Sequence, residues 1–370
     1  MKSMSTSHDR IFICPLAPDT ILKKYHLSVA ANNFCHNLIS GNGFSKIYVY
    51  PSQLIDTSDD LVYNNSNIEC VVAKGLRKRP TTRKIAFIIE NIKVAQKIKS
   101  NSSVWFYNLP YTVMILFWVL RIFRPSIKLN LILLDYTPNQ IGWKRYFNKF
   151  ERFCFQRFDG MISLANVPGL NHKNSTCLPG VVPNNQTVNN KITAFCREFL
   201  ISGTLSENIS LLSNLLEAFA NIPEAILHIT GNPPNTSTVK KMASTYPNIL
   251  FHGILEYQDY LELLHKVPFL LSTRDPKMPE NQCNFPSKII EGLLHNRIII
   301  STISYPQLKG IKYLIIDAND IGRGIREIIS MAKEELAPYS NQEDRVRKAF
   351  STNVWDTTMT RIENNSTQHA

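Results

Sequence analysis

The feature that most constrains this chain is a repeated alternation of short apolar runs with stretches of helical periodicity, and it occurs twice in succession. Ile11–Cys14, Ile47–Tyr50, Val104–Tyr107, Leu129–Leu134 and Gly160–Leu164 have strand character. Between them Ser28–Ile39, Ala86–Ile98, Tyr111–Phe123 and Trp143–Arg157 carry helical spacing, while Pro15–Leu27 and the basic Lys74–Lys84 look like loops. Continuous apolar strands separated by helices predict a parallel sheet with both faces covered. Pro179–Lys191, rich in proline and asparagine, reads as a linker. A second series follows, with strands at Phe199–Ser202, Ala225–Thr230, Ile249–Phe251, Phe269–Ser272 and Arg297–Ser301 and a helix at Ile209–Phe219. From about Gln342 the chain is helical and amphipathic enough to pack across both series. The expected fold class is therefore α/β, with two doubly wound domains whose ligand loops face a central cleft. The expected division is 1–185, 186–340, and a C-terminal segment 341–370 crossing back to the N-terminal domain.

Charge is unevenly divided. Residues 1–199 hold 25 Lys and Arg against 11 Asp and Glu, whereas residues 200–370 hold 16 against 18. A basic half suggests a polyanionic partner, either nucleic acid or anionic lipid. The seven cysteines are scattered with no Cys-x-x-Cys pair, which points to a reduced compartment and to neither zinc site nor disulfide framework. No signal peptide is expected in the polar Met1–Arg10 segment. Val104–Phe123 is dense in aromatics, but Asn108 and Pro110 leave only Tyr111–Leu120 unbroken. That is short of the roughly 20 residues a membrane span requires.

Late in the second series stands Asn284-Phe-Pro-Ser-Lys-Ile-Ile-Glu291, followed by the β-branched run at Arg297–Thr302. Proline at the first helical position gives up an amide that has no intrahelical partner. The remaining amides and the helix dipole make a seat for an anion. Lys288 in the first turn suits phosphate, and Glu291 one turn on suits ribose hydroxyls. An ordinary amphipathic helix with surface charges has the same spacing, so residues alone leave both readings open.

Several segments together resemble the GT-B glycosyltransferases, in particular the family-4-like bacterial group. Phe199-Leu-Ile-Ser-Gly-Thr-Leu205, Ala225-Ile-Leu-His-Ile-Thr-Gly231 and Asn248-Ile-Leu-Phe-His-Gly253 resemble successive strands of that group's donor domain, and Asn284–Lys288 with Glu291 its donor-binding signature. Ser28–Asn33, Asp135 and Asp159–Ser163 are weaker echoes upstream. The resemblance implies two Rossmann-like domains, a nucleotide-sugar substrate, retention at the anomeric carbon, and neither metal nor other cofactor. It also shows departures. Cys283 occupies the position, eight residues before Glu291, where the family usually carries Glu, and Glu280 is the nearest substitute. The loop Gly203–Asn208 lacks the Arg and Lys that commonly clamp the diphosphate, and the paired glycines common near the N-terminus are absent.

The candidate catalytic groups are Asp135, Arg274 and Lys288. Departure of a diphosphate without metal needs cations and helix-terminal amides, for which Lys288, Arg274 and the amides around Ser287 are available. Asp135, at the carboxyl end of a central strand, is placed to position or deprotonate an acceptor hydroxyl, or simply to cap a turn before Pro138. The candidate nucleotide-binding set is Gly203, Thr204, Asn284, Phe285, Ser287, Lys288 and Glu291, with Gly231 serving a turn. Ser28, Asn32 and Asn33 favour capping, and His26 and His36 surface or core positions. Trp143–Phe158 interleaves five Lys and Arg with seven aromatics, a pattern for a helix on an anionic membrane or for a packing helix with a wet face.

The expected function is a hexosyltransferase-type enzyme, peripheral on the inner face of the cytoplasmic membrane. It moves a sugar from a nucleotide-sugar to a hydroxyl of a lipid-linked glycan in surface polysaccharide or glycolipid synthesis. The alternatives are a non-catalytic scaffold of the same fold and a nucleic-acid-binding protein. No reader motif supports the last, so no nucleic-acid partner is expected.

Overall fold

The computed structural model describes residues 9–25, 27–51, 61–63, 65–71, 80–138, 144–184 and 190–366, with side chains at 80–84, 144, 207 and 208 left out. The chain divides into two compact units, Met1–Asn184 with Ser351–Ala370, and Asn185–Phe350.

The first unit holds strands β1 (Arg10–Cys14), β2 (Lys46–Val49), β3 (Ile68–Cys70), β4 (Ser103–Tyr107), β5 (Lys128–Leu133), β6 (Gly160–Ser163) and β7 (Ser175–Cys177). Its helices in chain order are α1 (Asp19–Tyr25), α2 (Val29–Gly41), α3 (Pro80–Lys97), α4 (Tyr111–Phe123) and α5 (Lys144–Phe155). The sheet runs β3-β2-β1-β4-β5-β6-β7, and every pairing is parallel. Phe12 pairs with Ile47 on one side and Trp105 on the other. These central strands are buried on both faces, which is why their sequences are continuously apolar rather than alternating.

The second unit holds β8 (Glu198–Thr204), β9 (Ile226–Asn232), β10 (Ile249–Gly253), β11 (Phe269–Ser272), β12 (Ile298–Ser301) and β13 (Leu314–Ile315). The helices continue as α6 (Glu207–Ser210), α7 (Leu212–Ala220), α8 (Thr236–Thr245), α9 (Tyr257–Lys266), α10 (Pro279–Cys283), α11 (Ser287–Leu294), α12 (Ile321–Ser330), α13 (Lys333–Leu336) and α14 (Glu343–Phe350). Its all-parallel sheet runs β10-β9-β8-β11-β12-β13. Phe199 sits at the centre of the core, stacked 4.8 Å from Phe269 and edge-on to Phe219 at 5.3 Å. Burying each such ring contributes about 1.5–3 kcal/mol. Asn248 ties the surrounding turn by donating to the carbonyls of Phe219, Ile222 and Ala225.

The last helix, α15 (Thr352–Asn365), belongs to the first unit and packs on α2. Trp355 is fully buried there and donates from Nε1 to the Gly180 carbonyl at 2.7 Å. Glu363, also buried, accepts from Arg10 Nε and Nη2, Ser103 Oγ and Trp105 Nε1, all within 3.0 Å. Burial opposes the Arg10 charge, and the Glu363 and Asp356 carboxylates overcome that to raise its pKa. Helix α14, one residue chain-earlier than Ser351, packs instead on α11 within the second unit.

The structure differs locally from the sequence expectation. Pro15–Leu27 is not all loop, because Asp19 opens α1 and Lys23 and Lys24 close it, a charge order that complements the helix dipole. The expected basic loop Lys74–Lys84 lies outside the described residues up to 79, and α3 begins at Pro80 within it. The expected helix Ile209–Phe219 is broken by Leu211, whose φ of +48° separates α6 from α7.

Candidate functional site

The second sheet reverses its winding between β8 and β11, and crevices for ligands in such sheets open beyond the strand carboxyl ends at that point. Gly203 and Thr204 end β8 there. Gly203 has φ +111°, with open space where a side chain would stand, and Thr204 is exposed. Gly231, its register partner on β9, has φ +132° and packs its Cα directly against the Gly203 carbonyl. The sequence reading gave Gly231 a turn only. Its further role is a backbone approach that no Cβ permits.

Beyond β11, Thr273 is buried and donates to the Ser210 carbonyl at 2.6 Å. Thr302, just past β12, grips the Arg274 backbone, accepting from its N–H at 2.6 Å and donating to its carbonyl at 2.5 Å. The Arg274 guanidinium is half-buried and donates to Asn281 Oδ1 at 3.3 Å. Asn281 in turn donates to the Asp275 carbonyl. Burial pushes the Tyr305 hydroxyl pKa up, and the nearby Arg274 charge works against that rise.

Pro286, with φ −74° and ψ +114°, stands at the cap position of α11, one residue before the first helical turn expected to contain it. No side chain caps this helix start. Ser287 is exposed as its first residue, Asn284 is half-buried in extended backbone, and Phe285 is buried edge-on against Tyr305 at 5.1 Å. Lys288 Nζ lies 2.7 Å from Glu291 Oε2, and 4.2 Å from the ring centre of Tyr260. Tyr260 donates its hydroxyl to the same Glu291 oxygen at 2.9 Å. Burial, then the Glu291 charge, pushes the Tyr260 pKa well up and that of Tyr257 to about 12, so both phenols stay protonated donors at neutral pH. The Ser202 hydroxyl, near the end of β8, works against that rise at Tyr260.

The structure thus brings Gly203, Thr204, Arg274, Asn284, Phe285, Ser287, Lys288 and Glu291 to the carboxyl edge of one sheet. Asp135 is elsewhere, exposed just past β5 in the first unit, where its charge adds to the burial that raises the Tyr107 pKa. Cys283 is buried at the end of α10 and puts no carboxylate where the family pattern has one. Glu280 lies one turn earlier, and its Oε2 is buried with no hydrogen-bond partner among the described residues. Ser28 caps α2 through Ala31 N–H, and buried Asn32 accepts from Ala17 N–H. His36 is exposed, and His26 lies outside the described residues. Sequence reasoning missed Tyr257 and Tyr260. Their only signal is an aromatic pair at i, i+3 opening the helix after β10.

Behind the site, His295 closes α11 and shares a 2.8 Å hydrogen bond with His265. Burial, reinforced by His265, lowers the His295 pKa to about 4. Buried Arg297 locks the following turn by donating to the carbonyls of His295, His265, Val267 and Asn190. Among the described residues no three His, Cys, Asp or Glu side chains are grouped to hold a metal ion. No helix among them is long and apolar enough to cross a membrane.

The sequence matches no protein-family model and no curated protein. Solved structures are similar along the whole chain. The Candida albicans trehalose-6-phosphate phosphatase N-terminal domain superposes with a TM-score of 0.66 at 12% identity, over 98% of this chain and 97% of that one. An α,α-trehalose-phosphate synthase (UDP-forming) from Burkholderia xenovorans, in complex with glucose-6-phosphate, gives 0.65 at 10%, over 96% and 99%. Anabaena HepE, in complex with UDP and glucose, gives 0.62 at 12%, over 96% and 99%. The fold is GT-B. Each unit is one Rossmann-like half of the GT-B architecture, and all the candidate residues but Asp135 lie in its second half.

Proposed function

We propose that this chain is a glycosyltransferase that moves a sugar from a nucleotide-sugar donor to a hydroxyl of a lipid-linked glycan, with retention and without a metal, in the manner of the family-4-like group. The observation that carries the reading is the Lys288–Glu291–Tyr260 cluster at an uncapped helix start. It puts a cation, a carboxylate and helix-terminal amides at one strand edge, beside the open backbone of Gly203. Similar folds that bind UDP or form it support the choice of donor.

In this reading Lys288, Arg274 and the amides of α11 receive the diphosphate, and Glu291 binds the ribose hydroxyls. As the bond from the anomeric carbon to the phosphate oxygen breaks, these donors stabilise the charge left on the diphosphate. The acceptor oxygen bonds to the same face of that carbon, and its proton passes to the departing phosphate. Asp135 orients the acceptor hydroxyl. The acceptor's lipid holds the enzyme's work at an anionic membrane surface, which the cationic, aromatic α5 supports.

Calorimetric titration with UDP, GDP and ADP tests the donor half. One of them is expected to bind, and Lys288→Ala to weaken it by about 10- to 100-fold, the worth of a charge-assisted hydrogen bond. No binding of any nucleoside diphosphate overturns the reading. Binding without sugar transfer to any glycan acceptor would favour a non-catalytic subunit, the reading to which the cation-free Gly203–Asn208 loop points.

A further inference from the structure

Helices α3, α4 and α5 lie side by side on the first unit, and each turns apolar residues to solvent. On α3 these are Ile85, Ile88, Ile89 and Ile92, at i, i+3, i+4 and i+7, each at least 40% exposed. Away from them α3 buries Ala86 and Val94 in the core, so the outward isoleucines are additional to what the fold needs. On α4 the ends carry Tyr111, Ile122 and Phe123, the last 72% exposed. With Met114, Ile115 and Trp118 they form a shallow, open apolar face along α4. On α5, Tyr146, Phe147, Phe150 and Phe153 are exposed. The three helices are joined: Asn91 of α3 donates to the Thr112 carbonyl of α4, and Trp118 of α4 stacks 6.1 Å from Phe153 of α5. Exposed apolar residues in so continuous a band mark an interaction surface.

Its charge says what covers it. Residues 80–157 hold 13 Lys and Arg against 3 Asp and Glu. On the face itself the Arg157 guanidinium lies 4.5 Å over the Phe153 ring and Lys149 Nζ 5.9 Å from that of Tyr146. A second copy would bring these cations against their equals. We propose that the α3–α4–α5 face docks on an anionic lipid bilayer, with its isoleucines and aromatics in the interface and its cations among the phosphates. Aromatic rings paired with Arg and Lys suit that boundary, where one end of each side chain is apolar and the other wet. The proposal rests on the membrane part of the function proposed above and is independent of the transfer chemistry.

Co-sedimentation of the full chain with phosphatidylcholine vesicles, with and without phosphatidylglycerol, tests it. Binding is expected only with phosphatidylglycerol. Ile122→Ser with Phe123→Ser should weaken partition at least about tenfold, and Ile88→Ser with Ile92→Ser similarly. Arg145→Glu with Lys149→Glu should weaken it by about fivefold or more per cation reversed and reduce its salt dependence. Nucleoside diphosphate titration and the unfolding midpoint should stay at wild-type values in all three, which separates a lost surface from a lost fold. Wild-type binding by both serine variants overturns this face while leaving the membrane reading standing. No binding of the wild type to either vesicle overturns both, whatever the nucleotide titration gives. Self-association that the serine variants abolish, without lipid binding, gives the face to a second copy and overturns the proposal.

Discussion

Two glycines that face each other at the candidate site should respond unequally to the same substitution. In Gly231→Ala the added methyl would overlap the Gly203 carbonyl oxygen and lie 3.0 Å from Gly203 C and N, all of it backbone. No side-chain rotation relieves this, so β8 and β9 must separate at their ends. The φ of +132° adds backbone strain of about 1–3 kcal/mol, and overpacking a further 1–3 kcal/mol or so. A loss of roughly 2–6 kcal/mol is therefore expected, enough to lower the unfolding midpoint of the second unit by several degrees. In Gly203→Ala the strain at φ +111° is of the same order, but nothing lies within 4 Å of the new methyl. That variant should lose only about 1–3 kcal/mol and remain folded at 25 °C, while its methyl occupies the space through which a diphosphate would approach the backbone. Urea unfolding and nucleoside diphosphate titration of both variants make the comparison. Gly203→Ala binding nucleotide as well as the wild type would refute the placement of this loop at the phosphate. Equal stability losses in the two variants would refute the steric argument.

Acid should loosen the second unit through His295. Burial holds its folded-state pKa at about 4 against 6.5 unfolded, so between these values the unfolded chain binds more protons. Stability is therefore full above pH 6.5 and is lost as pH falls toward 4, by about 3 kcal/mol for this group. Unfolding free energies between pH 7 and pH 4.5 should fall in the wild type, and fall less steeply in His295→Gln; the same slope in both would rule the histidine out. In the first unit, Glu363→Gln keeps shape but removes the charge that Arg10, Ser103 and Trp105 share. It turns an amide donor toward Arg10, with only Asp356 left as a carboxylate partner among the described residues. Losses on breaking a buried pair run to about 3–5 kcal/mol, and Asp356 places the expected value at the lower end. The first unit's transition should drop while the second's stays, and an unchanged first transition would show that the Glu363 charge does not hold α15 in place.

What was legible in the sequence, and what was not, follows from how far apart the interacting residues lie along the chain. Strand β11 and helix α4 have their expected limits, because each is an apolar run closed by its own punctuation, Pro110 before α4 and Pro268 before β11. Strands β3, β7 and β13 were not anticipated. They are two or three residues long at sheet edges and partly exposed, so burial imposes no apolar pattern on them. The same distinction governs the site. Lys288 and Glu291 are three apart on one helix and announce themselves locally, whereas Tyr260, which holds both, comes from α9, 28 residues before Lys288. Gly203 and Gly231 were each visible as glycine, but only the β8–β9 register shows that one exists for the other. Helix α3 is the reverse case. Its periodicity is plain, yet it is apolar on two sides, and sequence alone does not say whether the side of Ala86 and Val94 or the stripe Ile85–Ile88–Ile92 faces the core. The core took the smaller Ala86 and Val94. The larger isoleucines remain outside, and on α5 Lys149 and Arg157 stand beside exposed aromatics, so part of the charge of the N-terminal half belongs to an apolar surface and not to the core.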